Sequence, residues 1–229
     1  MKIRLIIQEP KYQLNVGYIA RVAKNFGIEK LYFIKPRANI RGKKAITFAK
    51  HAASMLKEAK IYQTIDEAVK GCLLVVGTTG IWNKAKAGYK NAVLLDEAVA
   101  RIRQKCKGAC EIAIIIGRDD IGMKKEELEK CDMIVFIPTN PRYPVLNISH
   151  ALAVLLYELT KASFAEEYEQ NVQDKPSRQE LSLLFGEFAK LISNKKIRNK
   201  KVVQRIFEKT VINTGLNKKE VHALITALK

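Results

Sequence analysis

Two glycine-bearing loops each follow an apolar run: Gly77-Thr78-Thr79-Gly80 after "CLLVV", and Gly117-Arg118-Asp119-Asp120-Ile121-Gly122 after "EIAIII". Glycines at such places let backbone amides come close to a ligand, as nucleotide-binding loops do. The second loop has the G-x-x-x-x-G frame of a phosphate loop, yet Met123 and Lys124 stand where Lys and Ser/Thr are required. Asp119 and Asp120 would also repel phosphates, so a triphosphate site is excluded. The first apolar run is followed by "EPKYQLNVGYIAR" and lacks the G-x-G-x-x-G dinucleotide fingerprint. A third segment, "IPTNPRYPVLNISHAL" from Ile137 to Leu152, sets Pro138, Pro141 and Pro144 between an apolar run and a long apolar helix pattern. Those prolines forbid helix and regular sheet pairing alike. Rigid backbone just beyond the carboxyl end of a strand is where open α/β sheets hold ligands. Metal and thiol chemistry find no support: Cys72, Cys106, Cys110 and Cys131 form no C-x-x-C, and His51, His150 and His222 are scattered singly. The cysteines are therefore expected as buried free thiols. No G-x-S-x-G nucleophile elbow occurs.

The elements that must carry these loops alternate along the first 160 or so residues. Apolar runs at Ile3–Gln8, "LYFI", "CLLVV", "EIAIII" and "DMIVFIP" read as strands, continuous in apolar character as in a parallel sheet covered on both faces. Between them lie helical patterns: "NVGYIARVAKNFG" with Asn15 as N-cap and Gly27 as its stop, "AITFAKHAASMLKEA", a short helix opened by Thr64 and Glu67 and closed by Gly71, and "LLDEAVARIRQKC". The last helix reads "NISHALAVLLYELT". The fold class is therefore α/β, with a mostly parallel sheet and helices on both faces. Residues 1–162 form this domain, 163–178 a polar linker, and 179–229 three amphipathic helices as a basic extension. At 229 residues and 48% hydrophobic, the chain can bury one sizeable core with a small appendage. No run approaches a membrane span and the N-terminal apolar run is too short for a signal peptide, so a cytoplasmic protein is expected. The net charge of +18 points to a polyanion; a lysine-rich solvated surface is the plain alternative. Two clusters focus that charge. Lys35, Arg37, Arg41, Lys43 and Lys44 fall in one loop, and Lys195, Lys196, Arg198, Lys200 and Lys201 in an acid-free stretch of the extension, which favours phosphate contacts.

Three backbone-rich loops without phosphate chemistry suit a ligand whose adenine and ribose are gripped by main-chain groups, and S-adenosylmethionine fits that description. The ordered series "NVGYIAR", "GTTG", "IIIGRDDIGMKKEEL" and "IPTNPRYPVLNISHALAVLLYEL" resembles the motifs of the SPOUT superfamily of RNA methyltransferases, and within it the TrmJ-like tRNA ribose 2′-O-methyltransferases. The resemblance covers about residues 1 to 160, and the basic tail is similar to that branch's extension. It implies a C-terminal trefoil knot, S-adenosylmethionine as cofactor, a homodimer with sites at its interface, and tRNA as substrate, modified at nucleotide 32 of the anticodon loop. It also places Thr78, Thr79, Gly80, Ile116, Gly117, Arg118, Ile137, Leu146 and Asn147 around the cofactor, with Asn147 capping the last helix. Asn15 and Arg21 match its N-x-G-x-x-x-R motif and become the catalytic candidates, Arg21 orienting the RNA phosphate and polarising the hydroxyl rather than acting as a base. Three positions depart from the branch: Ile81 stands for an arginine, Asp119 for a glutamate and Val145 for a serine. Lys84 as a charge or Trp82 by base stacking could replace the lost arginine. A SPOUT-fold RNA-binding protein without catalysis is the alternative these departures raise.

Overall fold

The computed structural model describes residues 1–82, 92–171 and 175–229. They divide into two compact units, Met1–Ala162 and Ser163–Lys229.

In the first unit, seven strands form one sheet in the order β3-β2-β1-β6-β4-β7-β5, every neighbouring pair parallel. They are β1 (Lys2–Gln8), β2 (Leu31–Ile34), β3 (Lys60–Tyr62), β4 (Leu74–Thr79), β5 (Ala92–Leu94), β6 (Glu111–Ile116) and β7 (Met133–Phe136). The helices are α1 (Gln13–Asn25), α2 (Lys43–Ala49), α3 (Ala53–Lys57), α4 (Ile65–Val69), α5 (Leu95–Lys105), α6 (Lys125–Leu128) and α7 (Ile148–Asn171). The continuous apolar strands have a simple cause. Successive side chains point to opposite faces, and each face meets its own core. Leu5, Ile7, Ile112, Ile114 and Ile116 join α1 and α7 on one side. Ile6, Ala113, Ile115 and Ile134 join Ile65, Met123 and Leu128 on the other.

β7 lies between β4 and β5, two strands the chain has already laid down. That placement is consistent with the C-terminal knot the resemblance implies; the connection from β4 to β5 runs through residues outside those described. More directly, β6, β4 and β7 are adjacent, so the loops that leave their carboxyl ends, far apart in sequence, meet at one edge.

Four local expectations need correction. Asn15 does not cap α1: Tyr12 occupies that position without a side-chain hydrogen bond, and Asn15 is buried inside the first turn. The expected helix over 45–59 breaks at Lys50, whose φ of 52° precedes a 3₁₀ turn to Ala52. α7 continues to Asn171, into the segment expected as a linker, because "SFAEEYEQN" is rich in helix formers and meets no proline before Pro176. Cys106 and Cys110 form a disulfide across the turn between α5 and β6, leaving Cys72 and the buried Cys131 as free thiols. Gly27, with φ of 70°, ends α1 as expected.

The second unit holds α8 (Arg178–Ser193), α9 (Lys200–Thr214) and α10 (Lys218–Leu228), packed on Leu184, Val211, Val221 and Ile225. Ser177 and Asn217 open α8 and α10 with reciprocal capping boxes to Glu180 and Glu220.

Candidate functional site at the carboxyl edge of the sheet

A cleft of about 470 Å³ opens where β4, β6 and β7 end. Thr78, Thr79, Gly80, Ile116, Gly117, Arg118, Ile137 and Leu146 all line it, together with Val135, Pro144 and Val145. Its apolar walls are the last side chains of the strands and the first of the loops. Two glycines let its loops pack closely. A Cβ on Gly117 would fall 2.4 Å from the Gly122 carbonyl carbon, and one on Gly80 would meet Val145 Cγ2 at 3.3 Å. The Thr78 hydroxyl turns inward and donates to the Ile115 carbonyl (3.1 Å), tying β4 to β6 beneath the cleft.

One end of the cleft is polar. The Lys11 amide donates to Asp119 Oδ2 (2.7 Å) and Asn15 Nδ2 donates to Asp119 Oδ1. Asn147 Nδ2 then donates to Asn15 Oδ1 (3.1 Å), so one buried amide connects the β6 loop, α1 and the segment after β7. Asn147 is itself fixed as the cap of α7, its Oδ1 accepting from the Ser149 amide (2.9 Å) and hydroxyl (2.8 Å). Asn147 does not line the cleft directly; it holds the residue that holds Asp119.

Beneath the β6 loop lies an ion cluster that motif reading did not single out. The Arg118 guanidinium is buried and pairs with Glu9 and with both oxygens of Glu127 (2.7 and 2.8 Å). Glu9 also receives Arg37 at 2.7 Å, and Gln8 Nε2 donates to Glu127 (3.0 Å). The bond from Arg118, opposed by burial and aided by Arg37, lowers the Glu9 carboxyl to about 2. For Glu127, burial works against ionisation, but Arg118 and the Lys124 amide outweigh it and hold the group below its ordinary value. Arg118 is raised by the same two partners. The only sequence signal for this cluster was an arginine inside an otherwise acidic loop; its partners lie over 100 residues upstream and within the next helix.

Neither catalytic candidate lines the cleft: Asn15 reaches it only through Asp119, and Arg21 stands apart from both. It lines a separate shallow depression with Lys24, Asn25, Lys50 and His51. Six residues along a helix turn a side chain well away from the starting face, so the two ends of the motif face different surroundings. The departures do meet at the mouth, where Ile81 and Val145 are 64% and 60% exposed. Trp82 packs its ring on Phe136, centroids 5.2 Å apart, and Lys84 lies outside the described residues. Of the first basic cluster, Lys35, Lys43 and Lys44 are exposed, Arg37 is paired with Glu9, and Arg41 donates to the Ala59 carbonyl (3.4 Å). Lys195, Lys196, Arg198, Lys200 and Lys201 are exposed around the start of α9, with Lys200 donating to the Ser193 carbonyl (2.5 Å). Among the described residues no group of His, Cys, Asp and Glu could hold a metal ion, and no helix is long and apolar enough to cross a membrane.

Residues 2–157 match the model of the SpoU rRNA methylase family. The tRNA (cytidine-2′-O-)-methyltransferase TrmJ of Methanocaldococcus jannaschii is 35% identical over 99% of this chain and 98% of its own length. The tRNA (cytidine/uridine-2′-O-)-methyltransferase TrmJ of Escherichia coli is 31% identical, covering 80% of this chain and 75% of that one. Among solved structures, TrmJ from Z. mobilis matches all of this chain and 98% of its own at a TM-score of 0.66 and 23% identity, a likeness of fold.

Proposed function

The chain belongs to the SpoU rRNA methylase family, in its TrmJ-like branch, and from that membership we propose that it methylates the ribose 2′-hydroxyl of tRNA, at nucleotide 32 of the anticodon loop, in the cytoplasm. The observation that carries this reading is the cleft at the ends of β6, β4 and β7, apolar along its walls and closed at one end by the Asp119–Asn15–Asn147 chain.

The residues present suit S-adenosylmethionine. Ile116, Val135, Ile137 and Leu146 offer apolar surface to an adenine, while the Gly80 and Gly117 loops bring backbone to the cleft's edge. When bound, this cofactor supplies a methyl group on a positively charged sulfur. Ile116, Val135, Ile137 and Leu146 would hold the cofactor so that its methyl group meets the incoming hydroxyl oxygen, whose proton would leave toward Asp119 at the polar end of the cleft. Alignment of oxygen with methyl accounts for much of the rate in such displacements. Asn15 is a positioning residue: it fixes Asp119, which lines the cleft and can receive or orient the departing proton. Arg21, standing apart from the cleft of its own chain, serves that of a second protomer in a homodimer, where it orients the RNA phosphate. Arg21→Ala is expected to leave cofactor affinity nearly unchanged while abolishing transfer; calorimetry and a methylation assay, run side by side, measure the two.

The decisive experiment is incubation with methyl-labelled S-adenosylmethionine and unmodified tRNA, then mapping of the labelled nucleotide. Label on one ribose supports the proposal. Cofactor binding without transfer to any tRNA favours the second reading, an RNA-binding relative that has lost catalysis, for which the apolar Ile81 and Val145 at the mouth speak.

A further inference from the structure

The segment after β7 is stiffened beyond its three prolines. Tyr143 N donates to the Asn140 carbonyl (2.9 Å), Arg142 N to Asn140 Oδ1 (3.0 Å), and Thr139 Oγ1 to the Pro144 carbonyl (2.7 Å), so the turn closes on itself. At its tip Tyr143 is 83% exposed, the most exposed large apolar side chain among the described residues. The next three residues, Pro144, Val145 and Leu146, line the cleft. A rigid turn thus holds an aromatic ring in water at the rim of the site, beside the exposed Arg142.

A ring presented this way contributes nothing to the core, but it can grip a flat partner with little loss of side-chain freedom. The partner's chemistry follows from the surroundings. The chain carries a net charge of +18 and Arg142 adds a cation at the same tip, which suits a polyanion better than a peptide. A ribose whose 2′-oxygen reaches the cleft brings its base to the rim, lifted from its neighbours and in need of a stacking surface. Trp82, expected to offer that surface, already sets its ring against Phe136. We infer that Tyr143 is the platform on which the base of the target nucleotide stacks, with Arg142 meeting the adjoining phosphate. The inference rests on the proposed methyl transfer to tRNA.

The test compares steady-state methylation of tRNA, at saturating S-adenosylmethionine, by the full-length wild type and single variants. Tyr143→Ala raises KM for tRNA about tenfold or more, the scale of one lost base–aromatic contact, with kcat and calorimetric cofactor affinity little changed. Tyr143→Phe, which keeps the ring, restores KM to near the wild-type value, whereas Tyr143→Leu does not. Arg142→Ala lowers the salt dependence of tRNA binding by about one counterion. An unchanged KM in Tyr143→Ala overturns the inference, as does equal loss in the Phe and Ala variants. Sedimentation showing that Tyr143→Ala falls from dimer to monomer would instead make the ring a contact between copies, which also overturns it. A wild type that transfers no methyl to any tRNA counts against the proposed function itself, and direct tRNA binding by the same variants then decides the stacking role.

Discussion

Asn15 uses both ends of its amide, donating to Asp119 and accepting from Asn147, and it does so while buried. Leucine at that position would remove one hydrogen bond from the half-buried Asp119 and one from the exposed Asn147, each worth about 0.5–1.5 kcal/mol. Asn15→Leu is therefore expected to lower the unfolding free energy by that order and to slow methyl transfer by more than its effect on cofactor binding; denaturant melts and a methylation assay measure both. The Glu9 carboxyl carries a different signature. Its folded value of about 2 lies below the ordinary 4.5, so the Arg118 pairing contributes stability that is complete above pH 4.5 and lost as pH falls from there toward 2. Urea midpoints of the wild type should drop through that window, and those of Glu9→Gln should drop less. Neither role could be foreseen from residue type. Asparagine near a helix start reads equally as a cap or as an interior side chain, and Glu9 lies more than 100 residues from its partner Arg118.

At the scale of elements, α1 sits close enough to α2 that Gly17 has no room for a methyl group: a Cβ there would be 2.6 Å from the Ala45 carbonyl oxygen and 2.7 Å from Phe48 Cβ. Gly17→Ala should push the two helices apart at a cost of about 1–3 kcal/mol despite the better helix propensity of alanine, and a thermal melt would register the loss. The shift would also move Asn15, two residues earlier on the same helix. Five of the seven strands were legible as apolar runs, and the two cores taken up by alternate residues of β1 and β6 are that pattern seen in three dimensions; the three-residue edge strands β3, with its exposed Lys60 and Ile61, and β5 were not, because so short a run carries no pattern. The break at Lys50 was not legible, since a lysine with positive φ carries no mark in the sequence. Nor was the Cys106–Cys110 pairing, where an i, i+4 spacing matched no metal or redox motif. The order of strands was equally hidden, because apolar runs state which residues are buried and not which neighbour buries them.

For the whole molecule, the charge of +18 predicts that affinity for the proposed tRNA substrate falls with salt. Replacing Lys195, Lys196, Lys200 and Lys201 together by serine should reduce the slope of log affinity against log salt by about 2–4 and leave calorimetric binding of S-adenosylmethionine unchanged; filter binding across a salt series gives the slope. Sheet order has a consequence during synthesis. β5, among the described residues, pairs only with β7, and β4 waits for the same strand on one side. A nascent chain that has reached β6 can therefore assemble β3, β2, β1, β6 and β4, but it leaves β5 without a neighbour and one edge of β4 open until residues 133–136 leave the ribosome. Those edges are the kind that recruit a neighbouring chain, so for a span of translation the half-made protein exposes the very slot its last strand will fill, and a stalled ribosome would release it in its most aggregation-prone form.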